Sequence, residues 1–128
     1  MIKNILASLL IVICTYLNAQ NNKTTYDAYI SGNMVKWKNE MVSIEYKRDK
    51  TNKEKLDLVN FQYGYIAWCI DKDKIKEAEK LIDKSEDIIF ELEKKNYNPS
   101  MLLAYKAAFI GFKIGISPYK APFIGLRA

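Results

Sequence analysis

Apolar residues recur along the middle of the chain at steps of three and four, the spacing of one face of an α-helix. The first such stripe is short and consists of Met34, Trp37, Met41 and Ile44. The second is the most regular and consists of Leu56, Val59, Tyr63, Ile66 and Ile70. A third stripe, with charged residues on its opposite side, runs from Ile75 to Leu92. No stretch alternates apolar and polar residues in the two-residue period of a strand, so the pattern predicts an all-α fold.

Turn and capping residues indicate where these helices begin and end. Thr51-Asn52-Lys53-Glu54 fits a capping box, and Asp71-Lys72-Asp73 is expected to end one helix and cap the next with its two aspartates. Asn98-Pro99 and Ser117-Pro118 both place proline where it suits a first helical turn. Residues 101–116 are apolar nearly all round, which predicts a helix covered on most sides. The pattern therefore predicts five or six helices in antiparallel pairs joined by short turns.

The N-terminus has the pattern of a secretory signal peptide. Lys3 gives a positive start, residues 5–13 form an apolar run, and Ala19 is small enough to precede a signal-peptidase cut. The run is about half as long as a transmembrane helix requires, and an uncleaved N-terminal anchor is the alternative. We therefore predict a cleavable signal peptide over residues 1–19, a helical-repeat-like domain over residues 20–128, and a periplasmic or secreted protein.

The composition excludes several classes of function. With 128 residues, 49% of them hydrophobic, the chain has room for one small domain. It contains no histidine, which excludes Ser-His-Asp and Cys-His catalysis and histidine-ligated metal sites. Cys69 is the one cysteine outside the predicted signal peptide, so no internal disulfide is expected. Without a phosphate loop, a nucleophile elbow or a metal-ligand cluster, we expect no catalytic residue, no metal, no cofactor and no enzymatic activity.

The net charge of +5 is confined to the two ends of the chain. Residues 20–95 carry equal numbers of basic and acidic side chains, and no acidic residue follows Glu93. Four basic residues spaced by seven occupy the C-terminal part, at Lys106, Lys113, Lys120 and Arg127. With Tyr105 and Tyr119 beside them, they are candidate partner-binding residues, or they hold an apolar helix at an anionic membrane. They are alternatively the solvated stripe of two otherwise buried helices, and so sparse a set does not predict nucleic-acid binding.

Two repeat signals favour stacked helix pairs. Residues 105–113 return fourteen positions later as residues 119–127, with six of nine positions identical, although two apolar helices can also resemble each other by chance. The stretch from Leu56 to Leu92 resembles a degenerate tetratricopeptide repeat, with Tyr63-Gly64 in the first helix and Ala78, Ile82 and Ser85 in the second. Small residues let two helices approach while large ones fill the gaps. The predicted helix-packing residues are Tyr63, Gly64, Ala67, Ala78 and Ile82.

The whole chain also resembles secreted, repeat-like proteins of Bacteroidetes-type bacteria. These resemblances imply an interaction scaffold built as a right-handed, tetratricopeptide-like helical array. A solenoid needs a polar capping helix, whereas this sequence ends in an apolar segment, so we expect the array to be incomplete at its C-terminus. The expected function is a non-enzymatic secreted or periplasmic scaffold that binds another protein. The alternative is a membrane-surface-binding helical protein that uses residues 101–127.

Overall fold

The computed structural model describes Ala28 and residues 31–118, and the regular secondary structure within this part is helical. The helices that lie wholly inside it are α1 (Met34–Tyr46), α2 (Asn52–Asp71), α3 (Ile75–Lys94) and α4 (Pro99–Ile116). No strand occurs among the described residues, and the prediction of an all-α fold is confirmed. The predicted signal peptide and the last predicted segment, with Tyr119, Lys120 and Arg127, lie outside the described residues.

The chain divides by packing into two units, residues 1–40 and residues 41–128. In the first unit, Gly32 has a φ of 60°, a left-handed conformation that glycine adopts without steric cost. The next residue, Asn33, begins α1: its side-chain oxygen accepts a hydrogen bond of 3.0 Å from the backbone N–H of Lys36. The candidate interaction residues that the structure describes all belong to the second unit.

The capping box predicted at the start of α2 is confirmed. The backbone N–H of Glu54 donates to Thr51 Oγ1 at 3.2 Å, and the backbone N–H of Thr51 donates to Glu54 Oε2 at 2.8 Å. Lys47 also forms an ion pair with Glu54. At the end of α1, Lys50 Nζ donates to the backbone carbonyl oxygens of Glu45 and Lys47, each at 2.7 Å. The short α1–α2 connection therefore satisfies polar groups of both helix ends.

Glu54 makes the stability of this helix start sensitive to acid. The hydrogen bond from Lys47, followed by that from the Thr51 backbone, lowers the pKa of Glu54 from 4.5 to about 2. Because its pKa is lower in the folded chain, the stabilisation by the carboxylate is complete above about pH 4.5 and is lost as the pH falls towards 2. We expect Glu54→Gln to be less stable than the wild type at neutral pH, and the difference to shrink over this acidic interval.

Urea denaturation at a series of pH values measures this difference directly. Asp87→Asn, a change of the same kind at an exposed position of α3, is the matched control. A stability difference for Glu54→Gln that stays constant between pH 4.5 and pH 2 would contradict the role assigned to the carboxylate.

The buried face of α2 is rotated by about one residue from the predicted stripe. Seven residues form it: Leu58, Val59, Phe61, Gln62, Tyr65, Ile66 and Cys69. Val59 and Ile66 belong to both the predicted and the observed face, whereas Tyr63 is 38% exposed. Gln62 contributes to the difference between the two faces. It is only 1% exposed, but because it is polar a hydrophobic pattern does not include it in the buried face.

The residues predicted to pack the helix pair divide between buried and exposed positions. On α3, Ala78 and Ile82 are 0% and 1% exposed. On α2, Gly64 is half-buried and Ala67 is exposed, while the Tyr63 ring contacts aromatic rings of α4. The assignment of Tyr63 and Ala67 to the buried α2–α3 face is therefore corrected, because the rotation of α2 moves both residues off that face.

Helices α2 and α3 are antiparallel neighbours. Near one end of the pair, Lys55 Nζ lies 2.5 Å from Glu91 Oε2. In its interior, the hydroxyl of Ser85 donates to Gln62 Oε1 at 2.7 Å. Residue numbers increase from Lys55 to Gln62 along α2 while those of their partners decrease along α3, so the two helices are antiparallel. An ion pair between Lys84 and Glu45 links α3 to the last turn of α1.

Neither aspartate of the α2–α3 turn caps α3, contrary to the prediction. The N-cap residue is Lys74, and it makes no side-chain capping hydrogen bond. Asp73 instead has a φ of 56°, a left-handed conformation that Asp tolerates better than most residues and that reverses the chain. The start of α4 is as predicted in position, with Pro99 in its first turn, but Asn98 too is left-handed, with a φ of 47°, and forms no side-chain cap.

Candidate interaction surface

Only one side of α4 is buried. Leu102 and Phe109, two turns apart, are 1% and 0% exposed, and they are the two buried residues of this helix. The expectation of a helix covered on most sides is therefore wrong. Its apolar composition reflects an inner side that packs and an outer side that is apolar without being covered by the described part of the chain.

An aromatic cluster fixes the inner side of α4 against α2. The ring centroid of Tyr63 on α2 lies 5.4 Å from that of Phe112 and 5.9 Å from that of Tyr105. Phe109 lies between them, with centroid distances of 6.2 to 6.5 Å to Phe112, Tyr105 and Tyr63. The Tyr105 hydroxyl donates to Asn60 Oδ1 at 2.9 Å. This cluster determines which side of α4 faces α2.

Tyr105, a predicted partner-binding residue, is thus part of the packing between α2 and α4. Burial, with smaller contributions from Asp57 and Tyr63, raises the pKa of Tyr105 above its ordinary value of 10.0. The phenol therefore remains protonated at neutral pH and can keep donating to Asn60.

The two described lysines of the predicted basic set are paired within the chain. Lys106 Nζ lies 2.9 Å from Glu93 Oε1. Lys113 Nζ lies 2.7 and 2.6 Å from the two carboxylate oxygens of Glu86. Both acids are on α3 and, like the lysines, are seven residues apart, so the pairs also show that α3 and α4 are antiparallel. This geometry matches a solvated flank of a packed helix rather than an open basic patch.

The opposite side of α4 forms a continuous exposed surface that we call the outward face. All of its members are exposed, and they are Leu103, Ala104, Ala107, Gly111, Ile114 and Gly115. Leu103 is 68% exposed and Ile114 is 37% exposed. A Cβ atom built at Gly111 or Gly115 would meet nothing within 4 Å. The outward face therefore combines apolar and small side chains, carries no charge, and leaves open space above its glycines.

The exposed side of α3 has a different chemistry. Its exposed residues include Lys80, Asp83 and Asp87. Charged side chains are the usual covering of a solvent-facing helix, and an uncharged exposed side marks a surface with another role. The outward face of α4 is thus the surface of the described residues that most requires an explanation beyond folding.

Length and composition would also allow α4 to cross a membrane. Among the described residues it is the one helix that is long and apolar enough to do so. Its mean hydropathy is 1.2 over 18 residues, and 11% of these residues are buried. A core helix of a soluble protein passes the same criterion. The contacts of Lys106 and Lys113 with α3 and of Tyr105 with α2 show that α4 packs against the rest of its own unit.

The described residues neither form a metal-binding cluster nor leave a buried polar side-chain atom unpaired. They contain no group of three or more Cys, Asp or Glu side chains that could hold a metal ion. Within the same part of the chain, every buried side-chain nitrogen or oxygen has a hydrogen-bond partner. The buried polar pair Gln62 and Ser85 is therefore satisfied and structural.

No family model matches the chain, and neither the curated proteins nor the solved structures give a match. The tetratricopeptide and secretory resemblances consequently stay predictions from the sequence. The sequence pattern does not predict the outward face, because a helix that is apolar on all sides is expected to be buried. A usable signal is the shared seven-residue spacing of two acids on α3, Glu86 and Glu93, and two lysines on α4, Lys106 and Lys113. Pairing the acids with the lysines places one flank of α4 against α3, and the opposite side of α4 is then the exposed one.

Proposed function

We propose that this protein is a non-enzymatic scaffold that binds another protein through the outward face of α4. The observation that supports it is the outward face itself, six uncharged and exposed residues on a helix whose other side is fixed by buried aromatic packing. Exposed apolar surfaces on an otherwise charged protein are characteristic of partner-binding sites. Because α4 is anchored by Phe109 and by two ion pairs, the surface is preorganised, which lowers the cost of binding.

A protein partner fits this surface better than an anionic membrane does. Helices that lie on anionic membranes insert bulky apolar side chains and use free lysines to attract lipid headgroups. Here the aromatic rings of α4 point inward, and Lys106 and Lys113 are paired with Glu93 and Glu86. Four of the six residues of the outward face are small (Ala104, Ala107, Gly111 and Gly115), and small residues favour close contact with another folded surface.

The proposal includes a tetratricopeptide-like, right-handed array and export by a signal peptide over residues 1–19. The array is supported by three successive antiparallel helices of similar length and by the burial of Ala78, Ile82 and Ser85 on α3.

Site-specific photo-crosslinking in the native cell tests the proposal. With a benzophenone side chain at Leu103, we expect a crosslink to protein, whereas the same side chain at exposed Asp83 of α3 should give none. The crosslink from Leu103 should disappear when Ile114→Lys places a charge on the same face, and should persist with Lys80→Glu on α3. Crosslinks to lipid alone, or equal crosslinking from Leu103 and Asp83, would overturn the proposal.

A further inference from the structure

We infer that the occupant of the outward face is the same face of a second copy of this chain, packed antiparallel about a two-fold axis. This inference rests on the proposed function and names its partner. It follows from three features of α4: two glycines that no described residue crowds, an arrangement of large and small residues that complements itself, and flanking lysines that are paired with carboxylates.

The glycines of the outward face have no packing role within the described residues. Gly111 and Gly115 are exposed, and the space where each Cβ would lie is open. Glycine weakens a helix interior relative to alanine, so both positions weaken α4 without relieving any crowding in the fold. Together with Ala107, one turn earlier, they form a shallow groove along one side of the helix. Such a groove lets the backbone of another helix approach closely.

The outward face is complementary to itself in one antiparallel register. When two copies of α4 run in opposite directions with their midpoints at residue 109 superposed, Leu103 of each copy is opposite Gly115 of the other. In the same register Ile114 is opposite Ala104, and Ala107 is opposite Gly111. Each large side chain therefore meets a small one, as a two-fold interface between identical surfaces requires.

The charges of α4 permit this approach. Lys106 and Lys113 lie on the flank of the outward face and would repel their counterparts in a second copy if they were unpaired. Each is within 3 Å of a carboxylate oxygen of α3, at 2.9 Å for Glu93 and 2.6 Å for Glu86. The approaching surfaces are therefore close to neutral, and an uncharged apolar helix face such as the outward face itself is the partner that they suit.

Sedimentation equilibrium of the protein expressed from the full gene, with its N-terminus determined by mass spectrometry, tests the inference. We expect a dimer, and we expect Gly115→Leu to weaken dimerisation about ten-fold or more because the new side chain meets Leu103 of the other copy. The double variant Leu103→Ala/Gly115→Leu exchanges the large and small positions and should restore dimerisation. Asp83→Leu, an apolar substitution on the exposed side of α3, is the control and should leave the dimer unchanged.

The outcomes separate this inference from its alternatives. Leucine is a better helix former than glycine and enters open space, so circular dichroism should show that Gly115→Leu remains folded. A wild-type protein that stays monomeric at about 100 µM, or a dimer that Gly115→Leu strengthens, would overturn the inference. If the protein is monomeric while Leu103 still crosslinks to a different protein, the inference fails and the proposed function stands. If both results are negative, both fail.

Discussion

Replacing Phe109 with alanine is expected to lower the free energy of unfolding by about 3–5 kcal/mol. Phe109 is 0% exposed, and its ring lies within 6.5 Å, centroid to centroid, of the rings of Tyr63, Tyr105 and Phe112. Its removal leaves a cavity between α2 and α4 that the surrounding rigid rings fill poorly. Since Leu102 is the other buried residue of α4, the variant should also loosen the docking of the whole helix.

Phe90→Ala is the matched control for this prediction. The chemical change is identical, but Phe90 is 58% exposed on α3, with Lys94 Nζ 4.1 Å from its ring centroid. Loss of such an exposed cation–π contact should cost about 1 kcal/mol or less. Urea denaturation monitored by circular dichroism compares the two variants. Equal losses of stability would show that the aromatic cluster does not anchor α4.

The second large effect is expected at the buried polar pair between α2 and α3. Ser85 is 0% exposed and Gln62 is 1% exposed, and Ser85 Oγ also lies 2.8 Å from the backbone oxygen of Leu81. Ser85→Ala leaves the Gln62 amide buried without this partner, which should cost about 1–3 kcal/mol. Gln62→Leu should cost less, because the Ser85 hydroxyl can still donate to Leu81.

A double-mutant cycle measures the coupling between these two side chains. The variant Gln62→Leu/Ser85→Ala replaces both polar groups with apolar ones, so its loss of stability should be smaller than the sum of the two single losses. Strict additivity of the three free energies of unfolding would mean that the 2.7 Å contact contributes no coupling energy.

The sequence predicted those features of the fold that depend on neighbouring residues. The capping box at Thr51 and Glu54 and the start of α4 at Pro99 are local, because their partners lie within one helical turn. In each case the physical cause and its effect lie within a few residues of the chain.

Features that depend on distant partners were predicted less well. Gln62 can be buried because Ser85, on the next helix, donates a hydrogen bond to it. The buried face of α2 therefore includes Gln62 and differs from the predicted stripe. Asp73 takes up the turn conformation instead of capping α3. The sequence pattern allows Lys106 and Lys113 to be partner-binding residues, membrane contacts or a solvated stripe, and it does not show that Glu93 and Glu86 of α3 pair with them. The outward face is the side of α4 that no other described helix covers. A pattern within α4 alone does not show which of its sides is covered.

Cysteine accessibility at position 107 tests directly whether a protein covers the outward face in the cell. The measurement is the rate at which Ala107→Cys reacts with N-ethylmaleimide in cells and after mild detergent extraction, relative to Asp83→Cys on α3. If a protein covers this face, we expect slow reaction at position 107 under both conditions, fast reaction at position 83, and equal reaction after denaturation. Reaction at position 107 as fast as at position 83 in the intact cell would contradict this expectation, as would protection that detergent removes.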